Sequence, residues 1–248
     1  MRKINWSRYF GDKAFYKTLM AIAVPVMLQN GLTNLVSLLD NIMVGAVGTE
    51  QMSGVSIVNQ LLFVFNLCIF GGLSGAGIYT AQFYGKGDQE GVRHTFRFKM
   101  MLALSLFVIG TGVFVCFGDT LIAQYLHEGG DTGDIAATAQ YGADYLKVML
   151  WGLLPFAVQQ AYASNLRETG ETMLPMKAGI VAIFVNLVFN YILIFGHFGA
   201  PAMGVEGAAL ATVISRYVEC AIVIGWTHSH PEKARFITGA YKSMRVPA

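Results

Sequence analysis

The sequence predicts an all-α membrane protein, a single bundle of six transmembrane helices. Three observations carry that prediction. Of 248 residues, 54% are hydrophobic and only 13% are charged, against roughly 25% charged in soluble domains. Six apolar segments each approach the length of about 20 helical residues that a ~30 Å hydrocarbon layer demands. The basic residues also gather in alternate connections, the pattern of cytoplasmic loops.

The six segments lie near 19–45, 53–80, 100–123, 139–163, 177–197 and 205–227. Residues 1–18 precede them as a basic lead-in. It is expected to stay attached on the cytoplasmic side, because the apolar run that follows is too long for a signal-peptide core. Residues 228–248 form a cytoplasmic tail or a linker. Fifteen of the 17 Lys and Arg residues fall in the lead-in, the tail and the connections after the second and fourth segments. The connections 46–52, 124–138 and 198–204 contain none. Both termini are therefore expected in the cytoplasm of a multi-pass protein in the cell membrane.

The first segment holds the most informative residues. Pro25 lies early, where a missing N–H offers a place to bend. Gln29, Thr33, Ser37 and Asp40 follow at spacings of four, four and three, one polar face ending in a carboxylate. At about 1.5 Å per residue, Asp40 is about 32 Å along the helix from Leu19, in the outer half of the bilayer. A carboxylate there is costly unless it faces protein or a wet cavity.

Each later segment adds its own polar side chains. The second carries Ser56, Asn59 and Asn66 on one face through Phe63. GGLSGAG at 71–77 gives it the small-residue spacing that lets helices approach closely, as GAALA at 207–211 does in the sixth. In the fourth, Tyr145 and Lys147 lie on opposite flanks, with Gln159 and Gln160 deeper. The fifth carries Asn186 and Asn190, four apart and stacked on one face. The sixth carries Thr212, then Arg216 and Glu219, three apart and expected to pair with each other. Asp40, Asn186, Asn190 and Thr212 together offer oxygen ligands from three segments, able to hold a proton or a hard cation such as Na⁺. Desolvation favours the protonated acid and a bound cation favours the carboxylate, so the ligand decides the state.

Enzyme chemistry is not expected, and neither is a cofactor. GLSGA from Gly72 departs from a nucleophile turn at Ala76 and lies in an apolar helix. GKGD at 85–88 lacks the spacing of a phosphate loop. His228 and His230 fall in the expected tail, and Glu128, Asp131 and Asp134 in a solvated outer loop. Cys68, Cys116 and Cys220 form no metal-ligand pattern and read as buried free thiols. A net charge of +2 gives no nucleic-acid signature.

Five stretches carry a family resemblance: IAVPVMLQNGLTNLVSLLDNIMVGAVG, AQFYGKGDQE, LLPFAVQQAYASNLRETGETMLPM, NLVFNYILIFG and GVEGAALATVIS. In that order the chain resembles the N-terminal six-helix half of the multidrug and toxic compound extrusion (MATE) family. The resemblance implies one lobe of a twelve-helix antiporter that exports cationic amphipathic compounds in exchange for H⁺ or Na⁺. It implies that Asp40 is the coupling carboxylate, with Tyr145, Asn186 and Thr212 as polar partners and Pro25 as the bending point. Asn190 departs from the members that carry a second aspartate there. The polar cavity face would comprise Gln29, Thr33, Ser37, Asn59, Asn66 and Gln159. The partner lobe would come from a longer reading frame, a second copy or a separate chain, the first being the expectation because family lobes are fused. Two competing readings are a lipid-linked saccharide flippase, which would want more cavity arginines than Arg216, and a truncated non-transporting fragment.

Overall fold

A computed structural model of the chain describes residues 13–128 and 134–240. Seven α-helices make up nearly all of it: α1 (Lys13–Gly45), α2 (Thr49–Gly85), α3 (Gln89–Glu128), α4 (Ile135–Met149), α5 (Leu153–Glu168), α6 (Met173–Phe195) and α7 (Gly204–Ser229). Five of these described helices, α1, α2, α3, α6 and α7, are long and apolar enough to cross a membrane. The expected segment 139–163 falls on α4 and α5, each too short to cross alone. A 3-10 turn at Leu150–Gly152 joins them. Right-handed helical backbone continues through Met149, Leu150, Gly152 and Leu153, so α4 and α5 follow one another across a tightened turn, near which Pro155 removes a helical donor.

Short connections make neighbours antiparallel. The α2–α3 turn is closed by Asp88, whose carboxylate accepts from the backbone N–H of Glu90 at 3.1 Å and of Gly91 at 2.9 Å. Asp134 likewise caps α4 by accepting from Ala136 and Ala137. The remaining members of the expected outer acidic loop, apart from Glu128 at the end of α3, lie outside the described residues.

One apolar core runs between α2, α3, α4, α5 and α7, with Val58, Ile69, Leu153, Ala157 and Ala209 all but fully buried. A second, at one end of the bundle, stacks Phe96 of α3 on Tyr162 of α5 and on Phe236. Phe236 belongs to residues 230–240, which fold back on the bundle after α7. The Arg97 guanidinium holds them by donating to the carbonyls of Ala240 at 2.7 Å and Gly239 at 2.8 Å. The first part of the expected tail is thus packed structure. His228 lies within α7 itself.

The outer faces are apolar, as lipid contact requires. Met27 and Leu38 on α1, Phe63 and Phe70 on α2, and Val108 and Val115 on α3 are all well exposed. Cys68 and Cys116 share these outward faces, so only Cys220 is the buried thiol the sequence led us to expect of all three. A thiol is apolar enough to face hydrocarbon.

A close backbone approach holds the α6–α7 pair. A Cβ on Gly207 would come within 2.6 Å of the Leu193 carbonyl oxygen. Gly207→Ala should therefore lower stability by about 1–3 kcal/mol through backbone displacement. Gly31→Ala, where a Cβ would meet nothing within 4 Å, should be neutral or slightly stabilising. Thermal unfolding in detergent micelles compares the two; equal melting temperatures would contradict the close approach.

Candidate functional site

Asp40 lies near the end of α1, partly covered by α6. Asn190 of α6, completely buried, donates its side-chain amide to Asp40 Oδ1 at 2.5 Å and to Asn186 Oδ1 at 3.1 Å. Asn186, also buried, donates to Thr212 Oγ1 of α7 at 3.2 Å, and the Thr212 hydroxyl donates to the Ala208 carbonyl. One hydrogen-bonded line thus crosses α1, α6 and α7. The i, i+4 spacing of the two asparagines stacks them along α6, and the small residues around Gly207 let α7 come close enough to present Thr212.

Within the line one acceptor has no donor. Asn190 Oδ1 is buried and takes no hydrogen bond. Leaving such a group unmet costs about 1–3 kcal/mol, and such exceptions call for a specific explanation such as an unplaced ion or water. Asp40 thus meets the Asn190 amide nitrogen, and the same amide carries an unmet oxygen. Tyr145 of α4 closes the other side: it is buried, lies beside Thr212 and Asp40, and its hydroxyl donates to Asn59 Oδ1 at 3.3 Å. Among the described residues no three His, Cys, Asp or Glu side chains gather as a metal cluster. One carboxylate among neutral oxygens suits a proton or a weakly held hard cation.

The remaining expected site residues spread along the bundle. Gln29 is half-buried and its amide reaches the Pro175 carbonyl at 3.5 Å. Ser37 and Asn59 are exposed, while Asn66 is half-buried with an unbonded Oδ1. The side chains of Pro25 and Thr33 lie outside the described set; the α1 backbone runs helical through both. Gln159 is buried, and it donates to Glu219 Oε1 at 2.9 Å.

That bond corrects the expected Arg216–Glu219 pair. No ion pair joins them among the described residues. Arg216 instead donates to the Gly152 carbonyl at 3.4 Å and lies over the Phe156 ring at 5.0 Å.

Sequence reasoning also missed a polar centre at the Phe96 end of the bundle. Lys99, counted among loop cations, is fully buried within α3. Its ammonium pairs with Glu168 of α5 and donates to Ser164 Oγ at 3.1 Å, and Ser164 donates to Glu168 Oε1 at 2.8 Å. Ser164 and Glu168, four apart in a helix, were the available signal.

Against this geometry stand the known proteins. The MatE family profile matches residues 25–192. The chain belongs to the MatE family. It is 33% identical over 207 residues to a probable multidrug resistance protein NorM of Thermotoga maritima, covering 84% of this chain and 43% of that protein. A second NorM protein, from Rhizobium meliloti, is 32% identical over 202 residues, covering 79% and 40%. Among solved structures, an outward-facing multidrug resistance MATE family transporter of the MOP superfamily superposes with a TM-score of 0.72. It is 25% identical, over 85% of this chain and 44% of that one. The chain therefore spans less than half the length of these MatE relatives. It is a multi-pass helical membrane protein of a transporter family, not an enzyme.

Proposed function

We propose that the chain forms one lobe of a cation-coupled multidrug antiporter in the cell membrane, with Asp40 as the group that takes the coupling H⁺ or Na⁺. The observation that carries this reading is the hydrogen-bonded line from Asp40 to Thr212, in which the buried Asn190 keeps an unmet Oδ1. A cation held between those oxygens would tie α1 to α6, and its release would free α1 to move. A ligand can shift a conformation only by binding one arrangement better than another. α1 suits such a role: it packs mainly on α6, with most of its apolar surface uncovered.

The relatives' names support multidrug efflux, and the family resemblance implies cationic amphipathic compounds as cargo, moved between this lobe and a second six-helix half. The distribution of basic residues supports a cytoplasmic position for both termini. The flippase alternative is not favoured, because Arg216 is turned onto Gly152 and Phe156 instead of toward an anionic headgroup.

Proteoliposomes test the reading. Tetraphenylphosphonium should be exchanged against an imposed Na⁺ or H⁺ gradient when the chain is reconstituted densely enough for copies to pair, or together with the second half of a relative. Absence of exchange in both preparations would leave the non-transporting alternative.

A further inference from the structure

The three helices that meet at Asp40 meet again deeper in the bundle. Seven residues separate Asn186 from Gly179 on α6, and seven separate Thr212 from Glu219 on α7; eleven separate Asp40 from Gln29 on α1. At 3.6 residues per turn these intervals return to within about 20° of the same face, roughly 10–16 Å along the axes. Gln29, Gly179 and Glu219 are thus a second layer on the same three helical faces.

The side chains converge there. A Cβ on Gly179 would come within 3.1 Å of Gln29 Nε2 and 3.6 Å of Glu219 Oε1, so the amide and the carboxylate flank one bare stretch of α6 backbone. From α5, the buried Gln159 donates to Glu219 Oε1. Among the described residues Glu219 Oε2 takes no hydrogen bond. The charged groups whose fields reach the carboxylate are Arg216 on α7 and Arg167 near the end of α5. Arg216 is committed to Gly152 and Phe156, and α1 and α6 face the acid with Gln29 and Gly179. Neither guanidinium is in ion-pair contact with Glu219 among the described residues, and a carboxylate so placed in a membrane bundle is a site for a proton or a small cation.

We propose that Glu219, with Gln29 and Gln159, forms a second monovalent-cation station in series with Asp40. It takes H⁺ or Na⁺ on its carboxylate, on the path from Asp40 toward the α5–α6 turn. The station rests on the reading of Asp40 as the coupling site.

The two readings separate in one set of measurements on the chain in lipid nanodiscs. Infrared difference spectra report carboxyl protonation during a pH titration in choline buffer, and Na⁺ titration at constant pH reports sodium occupancy. The wild type should show two ligand-sensitive carboxyl signals. Asp40→Asn should remove one and Glu219→Gln the other. Gly179→Ala, which pushes the flexible Gln29 amide aside and meets Glu219 Oε1 only at ordinary contact distance, should weaken the Glu219 response several-fold and leave that of Asp40 unchanged. A signal that titrates in choline identifies H⁺, and one that moves only with sodium identifies Na⁺. If Glu219→Gln and Gly179→Ala both leave the wild-type signals intact, the second station is overturned while Asp40 stands. If Asp40→Asn alone leaves them intact, the role of Asp40 fails instead, and the serial arrangement with it.

Discussion

Asp40→Asn is expected to abolish cation-dependent exchange while leaving membrane insertion and helix content unchanged. The substitution keeps the size of the side chain and an oxygen that can still accept from Asn190, so the α1–α6 contact survives. It removes the charge and the titrating proton. Hydrogen bonds to charged groups contribute about 1.5–3 kcal/mol, and each 1.4 kcal/mol is tenfold in affinity, so cation binding at the site should weaken about 10- to 100-fold. Titration of the reconstituted chain with radioactive sodium, or pH-driven exchange in proteoliposomes, measures it. The double variant Asp40→Asn with Asn190→Asp moves the acid across one hydrogen bond within the same line, and part of the binding should return. Unchanged exchange in Asp40→Asn would remove the carboxylate from the mechanism.

Lys99→Met should produce the largest loss of stability of any single substitution considered. Lys99 is fully buried and Glu168 is mostly so. Deleting one partner of a buried ion pair strands the other charge, at about 3–5 kcal/mol. Ser164 cannot compensate, since one hydroxyl donor does not neutralise a carboxylate. Adding Glu168→Gln to Lys99→Met removes the stranded charge, and most of the loss should be recovered, because the pair itself contributes far less than its disruption costs. Thermal unfolding in detergent follows both variants. A Lys99→Met chain as stable as the wild type would mean that Glu168 is served by water from the bundle end. Glu168 also lies against Gly77 of α2, so the pair helps set the spacing of α2, α3 and α5.

The family and the helical class were legible because they depend on local and compositional signals. Apolar length, the alternation of basic connections and the Asp40 stripe all follow from transfer energies and helical periodicity. The stacking of Asn186 on Asn190 was readable for the same reason. What a single helix cannot tell is which neighbour a polar side chain meets. Arg216 and Glu219 stand three apart on α7, yet each turns to α5 or to the turn before it. Lys99 was read as a loop cation because the apolar run starts after it, while α3 begins at Gln89 and carries it inside. Cys68 and Cys116 looked buried because thiols usually are, but a membrane helix is apolar on both its packed and its lipid-facing sides. That last ambiguity is general: hydropathy without amphipathicity does not say which face is inside.

The sequence by itself determined the class of protein, the approximate helices and the candidate acid with its most probable company. Each of those is written in one stretch of chain or in the count of charges along it. Only the tertiary structure decided that Asp40, Asn190, Asn186 and Thr212 form one hydrogen-bonded line, that Asn190 keeps an open oxygen, and that Gln29, Gly179 and Glu219 repeat the arrangement deeper in the bundle. The reason is geometric: close approach of α1, α6 and α7 depends on small residues and side-chain packing far apart in sequence. A few ångströms at those crossings separate a shared site from three unrelated polar side chains.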